Sequence, residues 1–190
     1  MEYNFDKAWL LALEQRFGME CTRIGDIKVP GKARMLVYYF ADFPAKGMLT
    51  AVTGGLSNAS HPNWVHGKPE LMISLQTEDH GWGSGIAYFA QSFYNDAAFQ
   101  YGSCYKLDQP MSGDSAMNAC FIYAPSFMNA EQIKFELPDR TIFIAGCYPM
   151  YDDEVPLYEK MGTQAFWNSP GFDAYNPRRG RIAPAQPATE

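Results

Sequence analysis

No stretch of the 190-residue sequence approaches the roughly 20 consecutive apolar residues that a membrane-spanning helix requires. The opening residues, MEYNFDKAWLLALEQRF, lack a basic leading segment and carry acids inside their apolar stretch, so a secretory signal is not expected. Positive charge is scarce: 15 Lys and Arg stand against 21 Asp and Glu, a formal charge of -6. The only basic cluster is Arg178, Arg179 and Arg181. A phosphate backbone is bound by a basic face that releases counterions, so no nucleic-acid partner is expected. Cysteines number only 4, at 21, 104, 120 and 147, with no C-x-x-C pair. Zinc ribbons and thioredoxin-type redox motifs are therefore excluded. The expected compartment is a reducing cytoplasm in which all four thiols are free. Cys120 and Cys147 sit inside apolar runs and read as buried core thiols.

Hydrophobic residues make up 47% and aromatics 15%, which rules out disorder of the whole chain. A chain of this length buries roughly 70% of its unfolded surface and needs neither disulfides nor metal to fold. The acidic balance favours solubility and suits a basic protein partner. Length and composition give a single domain over 1–182, followed by a Pro/Ala-rich flexible tail at 183–190.

Segment 5–17 reads as a helix: Asn4 can cap it, Trp9, Leu13 and Phe17 recur every four residues, and Gly18 can end it. Arg34–Phe40, Met48–Thr53 and Glu70–Gln76 read as strands, the last alternating and carrying one polar face. Residues 57–68 form a polar loop. Ile86, Phe89, Ala90 and Phe93 then follow helical spacing, with Ser84 as the N-cap. Gly102–Leu107, Asn118–Ala124 and Ile133–Leu137 are short strand candidates, and Thr141–Pro149 is the clearest buried strand. Asp152–Phe166 reads as a helix broken or started by Pro156. Strands and helices mix without strict βαβ alternation. The expected class is α+β, a mixed, mostly antiparallel sheet flanked by helices.

Residues of the kind that perform chemistry are present but poorly arranged. His61, His66 and Glu70 could hold a metal, yet H-x4-H in a Pro/Gly loop is not the one-turn spacing of helical ligands. His80 follows Asp79, the minimum for general acid–base work, but neighbours in sequence need not have neighbouring side chains. Gly81-Trp82-Gly83-Ser84-Gly85 opens a helix without a Walker lysine or a full G-x-G-x-x-G pattern, and reads as a turn and cap. No serine occupies a G-x-S-x-G elbow, and Ser57 reads as a turn residue. Asp152, Asp153 and Glu154 head a predicted helix, where acids favour the N-terminal dipole. These readings predict no catalytic residue, no cofactor and no metal.

Several of these segments recur, in the same order, in one family. Tyr38-Tyr39-Phe40-Ala41-Asp42-Phe43-Pro44 resembles its first aromatic strand and Asp-x-Pro exit. Met48 to Ser57 resembles a strand ending in a Thr…Gly-Leu-Ser turn, and Glu70-Leu71-Met72 the next strand's Glu-Leu start. Trp82 and the helix with Tyr88 and Gln91-Ser92, then Gly102 and Pro110, resemble the family's tryptophan, helix and Gly…Pro segment. Phe143–Glu154 and Asn176-Pro177-Arg178-Arg179-Gly180 resemble its late strand and Arg-Arg-Gly stretch. Over roughly residues 30–182 the chain thus resembles the Suppressor of fused domain. The doubled Gly54-Gly55, and Ser112 after Pro110-Met111, depart from the family pattern.

That resemblance implies protein binding without chemistry. The animal member holds an extended peptide of a transcription factor in a cleft between two domains. Similar single-domain bacterial proteins occur among the immunity proteins of polymorphic toxin systems. This chain has no room for the animal protein's C-terminal domain, which favours the bacterial type, a toxin domain being the partner. The contact residues expected on this reading are Tyr88, Asp152, Asp153 and Glu154. Two other functions stay open: a small hydrolase or metal-dependent enzyme using His80 with Asp79, or His61 with His66, and a regulatory scaffold that binds an extended peptide along a sheet edge. The oligomeric state and the role of Arg178 and Arg179, structural or anion-contacting, are left open by the sequence.

Overall fold

Helix α1 spans Phe5–Phe17 as its pattern predicts. The Asn4 side chain accepts from the Lys7 N–H at 3.1 Å, and the Gly18 N–H closes the far end on the Glu14 carbonyl at 2.9 Å. Trp9 and Leu13 form the buried face, and the Trp9 indole donates to the Thr53 carbonyl at 2.9 Å. Asn4→Ala removes the side chain that caps the helix start, and should lower unfolding stability by about 1 kcal/mol in urea denaturation. The computed structural model describes residues 3–182, so the expected tail at 183–190 lies outside the described residues.

Eight strands form one sheet: β1 Arg23–Ile27, β2 Met35–Ala41, β3 Leu49–Gly54, β4 Lys68–Leu75, β5 Cys104–Lys106, β6 Ala119–Tyr123, β7 Lys134–Glu136 and β8 Thr141–Met150. The order is β1-β2-β3-β4-β8-β6-β5, with β7 paired to the first half of β8. Only β4 and β8 run parallel; every other pairing is antiparallel. The fold is α+β with a mixed, mostly antiparallel sheet, as expected. The sequence does not announce β1, because Arg-Ile-Gly-Asp-Ile is an exposed edge strand and shows no apolar face.

Helices cover both faces. This explains why β2 is apolar at nearly every position rather than alternating. Val37 and Tyr39 face α2, Gly81–Ser92, which buries Trp82, Ile86 and Phe89. Leu36, Tyr38 and Phe40 face α1. On β8, Ile142 and Ile144 join the α1 core, while Tyr148 and Met150, of the same parity, pack under α3 (Val155–Met161) and α4 (Thr163–Trp167). So α1 and the α3–α4 pair divide one face, and α2 takes the other.

Three expectations need correction. The side of β4 that carries Glu70 and Ser74 is not solvated: Glu70 is fully buried, and Ser74 lies 2.7 Å from the Thr50 hydroxyl. Helix α2 begins at Gly81, because the Asp79 carboxylate takes its N–H at 2.8 Å; Ser84 therefore lies inside the helix and does not cap it. The segment after β8 is not one helix. A 3-10 turn at Asp152–Glu154 precedes α3, and Gly162, at φ 79°, separates α3 from α4. Pro156 sits in the first turn of α3, where its missing N–H costs nothing.

Candidate functional site

Two motifs well apart in the sequence meet at the end of β3. Glu70 on β4 accepts from the Thr53 hydroxyl at 2.6 Å and from the Gly55 and Ser57 N–H groups at 2.9 Å each. Gly55 has φ 124°, a conformation side chains rarely adopt, and this aims its N–H at the carboxylate. Burial pushes the Glu70 carboxyl above its usual range, although Thr53, Ser57 and Gly55 all oppose the shift. Neither histidine of the following loop joins it. The His61 Nδ1 accepts from the Asn63 N–H at 3.2 Å, and its ring leans on Trp64. Among the described residues no three acids, histidines or cysteines are grouped to hold a metal. Glu70, His61 and His66 are not a ligand set.

The start of α2 is similarly occupied. Asp79 holds the Gly81 N–H and accepts from the Ser112 hydroxyl; Asp114 accepts from the Trp82 indole at 3.0 Å. The His80 ring packs edge-on against Tyr39, at 4.8 Å between centroids, and makes no hydrogen bond to Asp79 among the described residues. Adjacency in sequence does not create the acid–base dyad here. Gly85 is required by packing, since a Cβ there would lie 2.0 Å from the Met111 carbonyl oxygen.

Beside this contact lies an open cleft of about 520 Å³ between α2 and residues 107–115. Ile27, Leu107, Pro110 and Met111 give it apolar walls, and Ser84, Tyr88, Gln109 and Ser115 supply polar groups. Among the described residues no charged side chain lines it. Tyr88 stands at its edge with the Lys32 ammonium 4.9 Å above its ring.

The acidic candidates sit elsewhere, after β8, and no hydrogen bond, ion pair or ring contact among the described residues links them to Tyr88. Asp152 is half-buried. Asp153 is exposed and pairs with Arg181 at 2.8 Å. Glu154 is different. It is 2% exposed and meets Arg179 through two bonds of 2.7 Å, and its oxygens also take the Tyr151 and Ile182 N–H groups. That carboxylate is enclosed and presents no face to a partner. Arg179 is thereby structural, whereas Arg178 is exposed and 3.6 Å from Asp114. Sequence reading missed the outward pair Tyr101 and Tyr123, 48% and 39% exposed, with ring centroids 5.6 Å apart. Tyr123 also borders a 200 Å³ hollow that includes Trp167 and Pro125. Residue type alone did not separate them from the core tyrosines. All four cysteines are free, and Cys120 and Cys147 are buried as expected. No helix among the described residues is long and apolar enough to cross a membrane.

No protein-family model matches the chain. No curated protein matches it in sequence. Solved structures are similar in fold. A protein described as a SUFU (suppressor of fused protein) homolog from Neisseria gonorrhoeae superimposes with a TM-score of 0.71 at 12% identity, over 96% of this chain and 98% of that one. The Sufu–Fu complex matches with a TM-score of 0.65 at 12% identity, over 93% and 91%. Drosophila Suppressor of Fused matches with a TM-score of 0.62 at 13% identity, over 94% of this chain and 51% of that protein. Eight strands, their order and the helices on both faces give this chain the fold of the Suppressor of fused domain.

Proposed function

We propose that the chain is a non-enzymatic protein-binding domain of the bacterial immunity type, which neutralises a toxin by covering its surface stoichiometrically. The observation that carries this reading is the match of nearly the whole chain to a fold that, in one solved structure, is in complex with a protein, Fu. The surface agrees with it. Tyr88 flanks an uncharged cleft, Tyr101 and Tyr123 are neighbouring outward aromatics, and Asp152 and Asp153 remain accessible for steering a basic partner. Glu154 is left out of this surface. The enzyme alternative is disfavoured by the separation of His80 from Asp79 and of His61 from Glu70.

The test is co-expression with a candidate toxin domain taken from a neighbouring gene. Host survival and a 1:1 complex by native mass measurement are expected; survival unchanged, with no complex, removes the toxin reading. Within such a complex, Tyr88→Ala should raise Kd about tenfold or more, the effect of truncating an aromatic anchor. Asp153→Asn should act chiefly on the association rate and its salt dependence, as a rim charge does. Titration calorimetry and stopped-flow association separate the two.

A further inference from the structure

One edge of the sheet ends under a guanidinium. Among the described residues β7 pairs only with β8. Its register sets Phe135 opposite Ile142; the Ile133 carbonyl takes the Ile144 N–H, and the Leu137 N–H donates to the Arg140 carbonyl. In an antiparallel ladder, residues bonded to one neighbour alternate with residues whose backbone groups face away. Ile133, Phe135 and Leu137 thus spend theirs on β8, and the backbone groups of Gln132, Lys134 and Glu136 face the free edge. Phe135 is the buried residue of β7, its ring 4.8 Å from that of Trp9 on α1, while Lys134 and Glu136 are exposed. Beside the edge lies an open hollow of about 350 Å³, bordered by Ala12, Gln15 and Arg16 of α1 and by Phe135 and Glu136.

Arg16, in the last turn of α1, takes up the acceptors of that edge. Its guanidinium lies 4.2 Å from the centre of the Phe135 ring. It donates to the Glu131 carbonyl at 3.1 Å, to the Gln132 carbonyl, and to the Lys134 carbonyl at 3.0 Å. The last two are outward-facing groups of the edge. A row of unpaired backbone groups is a template for another strand, and Lys134-Phe135-Glu136 is complementary to itself. Antiparallel pairing about a two-fold axis at Phe135 sets Lys134 against the Glu136 of a second copy, and Glu136 against its Lys134. Both residues face outward, so each such pair exchanges two backbone bonds, with opposite charges side by side. The Lys134 carbonyl that this pairing requires is the one Arg16 holds. We propose that the β7 edge is a docking site for a second copy of this chain, and that Arg16 is the guard that keeps it closed. Nothing in this depends on the toxin reading.

Arg16→Met keeps an apolar stem over Phe135 and removes every donor. Sedimentation equilibrium of the natural chain and the variant, with folding checked by circular dichroism, reads the consequence. The variant should dimerise with an association constant about tenfold or more above that of the natural chain, because the charge-assisted bond that competes for the Lys134 carbonyl is gone. A two-fold contact closes on itself, so the product is a dimer and nothing larger. Adding Glu136→Pro locates the contact. Proline removes the outward N–H that the second copy's Lys134 carbonyl needs and leaves the bonds of Ile133 and Leu137 to β8 in place. Association should fall back to that of the natural chain. Equal association of Arg16→Met and the natural chain, even with lowered stability, makes Arg16 a staple between α1 and β7 and overturns the proposal. So does a rise that Glu136→Pro leaves unchanged, or one that yields only large aggregates. Should Arg16→Met not fold, Arg16→Gln, which is too short to span the two outward carbonyls, is read by the same criteria.

Discussion

Arg179→Ala should cost about 3–5 kcal/mol of unfolding stability, the penalty for stripping one partner from a buried ion pair. Arg179 and Glu154 are 4% and 2% exposed. The guanidinium binds both carboxylate oxygens and donates further to the Gly180 and Pro149 carbonyls. Removing it leaves the carboxylate in the core with only the Tyr151 and Ile182 N–H groups. The pair also ties residues 169–182 to the end of β8, helped by the Tyr151 hydroxyl on the Arg179 carbonyl at 2.8 Å. Hydrogen exchange in that segment should accelerate more than in α1. The double variant Arg179→Met, Glu154→Leu should recover most of the loss, because no charge is then stranded. A loss below about 1 kcal/mol for Arg179→Ala, the range of solvent-exposed pairs, would show that the pair is wet.

Phe121→Ala should be comparably damaging, at about 3–5 kcal/mol for a large aromatic truncated inside a core. Phe121 is fully buried on β6. Its ring stacks on Tyr148 at 5.1 Å and Tyr158 at 5.0 Å, and meets Phe166 at 6.0 Å and Trp167 at 6.2 Å. Helices α3 and α4 are short, 7 and 5 residues, too short to persist without packing. This ring is one of their main contacts with the sheet, beside Tyr148, which meets Trp167 at 4.9 Å. Chemical denaturation should show the loss, and near-ultraviolet circular dichroism should report the loosened aromatic cluster. Tyr101→Ala, an exposed substitution, should stay within about 0.5 kcal/mol of the natural protein.

Much of the fold is legible because short-range physics writes it. Asn4, the four-residue spacing of Trp9 and Leu13, and Gly18 bound α1 without reference to the rest of the molecule. RMLVYYF and TIFIAGCYP read as strands because a sheet covered on both faces has no polar side to alternate. The candidate site was less legible, for reasons visible in single residues. Glu154 and Asp153 are adjacent and chemically alike, yet one is enclosed by an arginine 25 positions on and the other faces water. Nothing local distinguishes them. Glu70 in an alternating segment looks solvated until the Thr53–Ser57 turn folds over it. Tyr101 and Tyr123 match the buried Tyr38 and Tyr39 in type and differ only in what packs above them.

The sequence by itself determined the helix boundaries that caps enforce, the strands whose apolar runs demand two covers, and the mixed class of the fold. Tertiary structure alone decided which acids are enclosed, which histidines stand apart from carboxylates, and which tyrosines reach solvent. The reason is range: caps and periodicity act within one or two turns of chain, whereas burial and pairing depend on groups that the sheet order brings together across 15 to more than 100 residues.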